Sequence, residues 1–108
     1  ELIPKRSFYD YKAKYNKSAN TEHVMPARLK NNKYKEVLKL AKLAHNLLGC
    51  RGVTRTDFKF SNNKFYILEI NTQPGMTSLS LVPEIANYKG INFSNLVEKI
   101  LQDASINK

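Results

Sequence analysis

Tyr66-Ile67-Leu68-Glu69-Ile70-Asn71-Thr72-Gln73-Pro74-Gly75-Met76-Thr77 runs from an alternating strand into a Pro-Gly turn. Residues two apart on a strand share a face and lie ~6.6 Å apart. Glu69 and Asn71 therefore point the same way, while Leu68 and Ile70 are expected to face the core. Carboxylate and amide oxygens are hard donors of the kind Mg²⁺ takes together with phosphate oxygens. The stretch thus reads as a strand whose end offers a place for a metal ion and nucleotide phosphate.

The preceding strand repeats the arrangement. In Val53-Thr54-Arg55-Thr56-Asp57-Phe58-Lys59-Phe60, alternation puts Arg55, Asp57 and Lys59 on one face and Phe58 and Phe60 on the other. The turn around Ser61-Asn62-Asn63-Lys64 decides whether the two polar faces coincide. A two-residue loop of Asn62 and Asn63 would set Asp57 opposite Leu68, mixing charge with core. A three-residue loop, Asn62 to Lys64, sets Asp57 opposite Glu69 and Arg55 opposite Asn71. A one-residue slip inverts every side chain, so the apolar pattern favours the three-residue loop. Asn tolerates the left-handed conformation that such a loop requires. The expected apolar face is Phe58, Phe60, Tyr66, Leu68 and Ile70.

A half-solvated antiparallel sheet would show similar alternation. Acidic residues are depleted in strands, however, and two carboxylates placed directly opposite repel each other unless a cation lies between them.

Outward from this hairpin, the chain of 108 residues has the length of one domain with a modest core. Lys5 to Ala27 is polar and aromatic without a regular period, and reads as a long loop. Asn31 or Asn32 can cap a helix reaching about Leu48 and stopping at Gly49. Val37, Leu40, Ala41, Ala44, Leu47 and Leu48 form its apolar stripe. A short helix is expected from near Ser80 to Gly90. A last helix, capped by Ser94 or Asn95, turns Leu96, Val97, Ile100, Leu101 and Ala104 inward. The class is α+β, a small antiparallel sheet with helices on its apolar face.

Lys and Arg number 18 against 9 Asp and Glu, a formal charge of +9. Such a balance raises the question of a nucleic-acid partner. The cations form no block, and 14 Lys with 12 Asn suggest A-rich codons as their source. Neither nucleic acid nor a membrane is therefore expected as a partner. There is no apolar run of membrane-spanning length, and the opening Glu1-Leu2-Ile3-Pro4 reads as the interior of a longer protein. The single Cys50 cannot form an internal disulfide, which fits the cytoplasm. Neither histidine, His23 nor His45, is expected to take a direct role.

Several blocks together resemble a known family. Arg55-x-Asp57, Glu69-x-Asn71-Thr72-x-Pro74-Gly75-Met76-Thr77 and Ser80-Leu81-Val82-Pro83 are similar to the carboxy-terminal part of D-alanine–D-alanine ligases, ATP-grasp enzymes of peptidoglycan synthesis. Phe8-Tyr9-Asp10-Tyr11-Lys12-Ala13-Lys14-Tyr15 resembles their mobile active-site loop, and Pro26-Ala27 its end. The likeness runs from about Leu2 to about Leu101. It implies part of an ATP-grasp domain, with the loop at about 5–27, a helix at about 32–48 and the metal-site hairpin at about 53–71. A substrate turn and helices fill 72–104.

The resemblance also implies a reaction and its residues. Two D-alanines are joined through an acyl phosphate made with ATP, in the service of cell-wall construction and cell shape. Asp57, Glu69 and Asn71 match ligands of Mg²⁺ (or Mn²⁺), and Glu69 thereby touches the nucleotide site. Arg55 and Gly75 match the oxyanion-stabilising pair. Ser80 and the neighbouring Leu81 match the site for the carboxylate of the second D-alanine, although by itself Ser80 reads as a plain N-cap. Lys14 matches a loop cation facing phosphate or substrate carboxylate. Tyr15 matches a loop tyrosine associated with D-alanine rather than D-lactate. Leu79 departs from the histidine common in relatives. The implied partners are D-alanine, ATP and an amino-terminal part of the ligase. This chain alone is expected to be inactive, with a free sheet edge that invites homodimer pairing. Another ATP-grasp carboxylate–amine ligase and a basic nucleic-acid-binding module remain the alternatives.

Overall fold

The computed structural model describes residues 1–4 and 21–106. Its elements are β1 (Leu2–Ile3), β2 (Glu22–His23), α1 (Asn31–Leu47), β3 (Arg55–Ser61), β4 (Lys64–Asn71), α2 (Leu81–Tyr88) and α3 (Phe93–Asp103). They make two separate two-stranded antiparallel sheets, β1 with β2 and β3 with β4. Helix α1 lies against both strands of the larger hairpin, and α2 packs on α3.

The hairpin turn is shorter than expected. Ser61 pairs with Lys64, so Asn62 and Asn63 alone form the loop. Their φ values are +51° and +62°. Two successive left-handed residues make the turn whose twist matches that of the strands, and asparagine enters this region at small cost. The expected pairing of Asp57 with Glu69 and of Arg55 with Asn71 is nevertheless present. A bulge reconciles the two, because Phe58 pairs with Ile67 and leaves Leu68 as an extra residue on β4.

The bulge also changes the apolar face. Phe58 and Phe60 share it with Phe65, Ile67 and Ile70, not with Tyr66 and Leu68. The Phe60 and Phe65 rings lie 4.7 Å apart, and Phe58 meets Phe65 edge-on at 6.0 Å. Tyr66 pairs with Lys59 on the opposite face, and Leu68 is 65% exposed.

The helices end where glycine allows it. At the end of α1 the Gly49 N–H donates to Asn46 O and the Cys50 N–H to His45 O. The end of α2 repeats this arrangement, with Gly90 N–H to Asn87 O and Ile91 N–H to Ala86 O. Both glycines have positive φ, +64° and +86°. This is the paired closure that satisfies the last carbonyls of a helix.

The starts differ from expectation. Asn31 lies inside α1 and Lys30 takes the cap position, with no side-chain cap bond. Asn92 rather than Ser94 or Asn95 caps α3, its side chain accepting from the Asn95 N–H at 2.8 Å. The reason is spacing, since an Asx cap bonds two or three residues ahead.

Among the described residues, Ala44 and Leu96 are the buried hydrophobic side chains. Leu47, Leu48 and Leu101, expected in the core, are 76%, 62% and 68% exposed. The stripes of α1 and α3 are thus covered around Ala44 and Leu96 and left open at their carboxy-terminal leucines.

Glu22 and His23, read as loop, form β2 against β1. A forked contact between Arg28 and Glu1 (2.8 and 3.0 Å) secures this small sheet. Hydrogen bonds from the Arg28 side chain and backbone lower the Glu1 pKa to about 2. The contribution of this pair to stability is present above the ordinary carboxylate range and is lost as pH falls through about 2. Among the described residues, no helix is long and apolar enough to cross a membrane.

Candidate functional site

The polar face at the base of β3 and β4 gathers three of the expected side chains into one cluster. Arg55 Nε donates to Asp57 Oδ1 at 2.8 Å, and Arg55 Nη2 donates to Asp57 Oδ2 at 3.1 Å. The same Nη2 reaches Glu69 Oε1 at 3.3 Å. A strand places i and i+2 on one side, so Arg55 can fork its own strand neighbour while reaching across the ladder. The Arg55 side chain is 13% exposed and Asp57 23%, whereas Glu69 is 50% exposed. The cluster is thus more sheltered on its Arg–Asp side than at Glu69.

Asn71 lies two pairs further along from Glu69, opposite Arg55. Its Oδ1 accepts from the Gln73 N–H at 2.9 Å, which turns the chain out of the strand. A carbonyl oxygen carries two acceptor sites, so this bond leaves one for another partner.

The turn then reaches the buried Pro74 and the half-buried Gly75. Positive φ among glycines is confined to Gly49, Gly52 and Gly90. Gly75 therefore serves no left-handed turn.

Ser80 follows, 8% exposed, at the start of α2. It was readable as a plain N-cap, yet its side chain makes no cap bond to its own helix. Ser80 Oγ accepts from the Thr77 N–H at 2.9 Å and lies 2.8 Å from Thr77 Oγ1. Thr77 is the positioning partner that periodicity did not single out; its offset of three residues from Ser80 is the signal. Leu81, half-buried, opens the helix. Lys14 and Tyr15 lie outside the described residues.

Both histidines have partners. His45 Nδ1 lies 2.8 Å from Thr54 Oγ1, tying α1 to the approach of β3. His23 Nδ1 lies 2.7 Å from Glu84 Oε2, tying β2 to α2. Neither contact is visible in the linear sequence, because the partners are brought together by folding.

The donor chemistry fits a hard divalent cation. Two carboxylates and one amide oxygen share a face with the Arg55 guanidinium and, further along β3, with Lys59. Among the described residues no group of three or more His, Cys, Asp or Glu could hold a metal ion. An ion held here would therefore take Asp57, Glu69 and the Asn71 amide oxygen, with phosphate oxygens and water completing the shell, which is the habit of Mg²⁺.

Comparison with known proteins places the chain. The family described as D-ala D-ala ligase C-terminus matches residues 1–102. A D-alanine–D-alanine ligase of Pelagibacter ubique (strain HTCC1062) is 62% identical over the whole chain, which covers 36% of that protein. One from Afipia carboxidovorans is 47% identical, again over 100% of this chain and 36% of the relative. The crystal structure of D-alanine–D-alanine ligase from Bacillus anthracis matches with a TM-score of 0.74 at 31% identity, over 95% of this chain and 33% of that one. A second structure of that ligase, complexed with ATP, gives 0.68 at 31% identity, over 71% and 27%. The chain spans about a third of the length of these relatives. The α+β arrangement described above is part of an ATP-grasp domain, as in those neighbours. By the match over residues 1–102, the chain belongs to the D-ala D-ala ligase C-terminus family.

Proposed function

We propose that this chain supplies the metal-binding and acyl-transfer face of a D-alanine–D-alanine ligase, a cytoplasmic enzyme that joins two D-alanines at the expense of ATP for peptidoglycan. The observation that carries the reading is the cross-strand placement of Asp57 and Glu69 with Arg55 forked between them. Its partner is the remaining, amino-terminal part of the ligase. Residues 1–108 act as the carboxy-terminal part of the domain, with the metal-site hairpin at 53–71 and the substrate turn and helices at 72–104.

In this reading a carboxylate oxygen of the first D-alanine attacks the γ-phosphorus of ATP, and ADP leaves. The amine of the second D-alanine then attacks the carbonyl carbon of the acyl phosphate, and phosphate leaves. Asp57, Glu69 and Asn71 are the residues that would hold Mg²⁺ or Mn²⁺, which would supply charge neutralisation to the phosphates. Arg55 and the Gly75 N–H donate to the oxygen that gains charge as the carbonyl becomes tetrahedral. A preorganised donor of this kind contributes ~2.7–4 kcal/mol. Ser80 and the Leu81 amide hold the carboxylate of the second D-alanine. A helix start attracts such an anion, and the first amides of α2 have no partner within the helix. Lys14 and Tyr15 enter by resemblance alone, as loop groups that meet phosphate or substrate and exclude water.

The test uses the full-length protein carrying this chain. Phosphate release is followed with ATP, Mg²⁺ and D-alanine for the unsubstituted protein and for Glu69→Ala, and Mn²⁺ binding in the presence of nucleotide is measured by paramagnetic resonance. D-alanine-dependent release that disappears in the variant, together with weakened Mn²⁺ binding, is the expected result. Unchanged turnover and unchanged Mn²⁺ binding in Glu69→Ala would remove the metal assignment.

A further inference from the structure

The His23–Glu84 contact has a chemical meaning for the neighbouring helix start. Glu84 stands in the first turn of α2, four residues after Ser80, so the two lie on the same side of the helix. The donors available there are few. The Ser80 N–H is committed to Thr77 O at 3.0 Å, and Pro83 has no N–H. The amides of Leu81 and Val82 remain as the first-turn donors without a helical acceptor.

A side-chain carboxylate one turn in is a natural competitor for such amides and repels any other anion approaching them. Here it is engaged elsewhere. His23 Nδ1 donates to Glu84 Oε2 at 2.7 Å, from a strand that precedes α2 by more than fifty residues. The His23 and Glu84 side chains are only 27% and 37% exposed, so their interaction is partly sheltered from solvent.

We propose that His23 is a positioning residue for the carboxylate-bearing second substrate. It acts by holding the Glu84 carboxylate in a hydrogen bond so that the α2 start stays receptive to an external carboxylate. This rests on the ligase reading above and adds a residue of β2 to it. His23 does not touch the substrate. Its effect passes through Glu84, and removing Glu84 should make His23 dispensable.

The experiment is a double-mutant cycle in the full-length protein, with KM measured separately for ATP and for D-alanine at its second site. Thermal unfolding midpoints are recorded for each variant. His23→Gln should raise the second-site KM about two- to fivefold, as expected for a carboxylate released toward a helix start. It should leave kcat and the ATP KM unmoved. Glu84→Gln should stay within about twofold of the unsubstituted protein, and the double variant should return to that level. A merely structural clasp is broken by either substitution, so Glu84→Gln as harmful as His23→Gln would overturn the proposal. So would a double variant no better than His23→Gln. Turnover with an unmoved second-site KM overturns this proposal alone. Absence of D-alanine-dependent turnover in the unsubstituted protein overturns the ligase reading and the proposal with it.

Discussion

The two halves of the β3–β4 hairpin are built from the same pair of strands and do different work. Toward the turn, Phe58, Phe60 and Phe65 stack on one face and two asparagines close the loop. Toward the base, Arg55, Asp57 and Glu69 share a charged network beside Asn71. The bulge at Leu68 separates them. One half fixes register by shape, and the other places charges that would not sit together without a cation between them. A single extra residue lets each half follow its own rule.

Substitutions can break this division, and the largest effect is expected at the base. Arg55→Met should lower kcat of the full-length protein ~10²–10³-fold through loss of an oxyanion donor. Its folding should survive, and circular dichroism with single-turnover kinetics would separate the two. A fall in kcat of less than tenfold would argue that Arg55 serves only the ion pair.

Deletion of Leu68 is the next test, because the present pairings on both sides of it can persist in a regular ladder. The fold should remain while the local twist changes. Misplacement by about an ångström can cost ~10²-fold in rate, so activity should drop well before stability does. Crystallography of the deletion variant together with kcat would check both parts.

Effects at the turn end should be confined to stability. Phe65→Ala removes the ring shared by two aromatic contacts and should destabilise by ~1–3 kcal/mol, less than a fully buried ring because the site is half open. Asn63→Ala places a non-glycine side chain at φ +62° and should cost ~1 kcal/mol, whereas Asn63→Gly should be nearly neutral. Urea denaturation measures all three. A kcat change beyond twofold in any of them would show that the halves are coupled.

The sequence made the charged base of the hairpin legible because its signal is period two, and Asp57 opposite Glu69 follows from faces alone. Loop length is harder to read for the same reason. Requiring a regular ladder forced a third loop residue, whereas the chain takes the favoured two-residue turn and spends the surplus at Leu68. Exposure was the other weak point. Leu47, Leu48 and Leu101 sit at apolar spacing yet lack cover from this chain, and spacing says which residues align but not what lies opposite. The cap at Asn92 and the Thr77–Ser80 pair are local signals, each at an offset of three residues, that a search for apolar periodicity passes over. The His23–Glu84 contact spans 61 residues and has no local signature at all.

Arg51 carries a consequence for where this unit can be cut. Its Nη2 donates to the Asp103 backbone oxygen at 2.7 Å and to Asp103 Oδ1 at 3.2 Å. Gly52 beside it has φ +67°, and a β-carbon there would stand 3.6 Å from Asp103 Oδ2. The segment that feeds β3 is therefore moored to the last residue of α3, one position past the end of the family match at 102. A recombinant boundary drawn at the end of the family match would sever that mooring while leaving every proposed chemical group intact. The residue just past the match ties the end of α3 to the entrance of the hairpin.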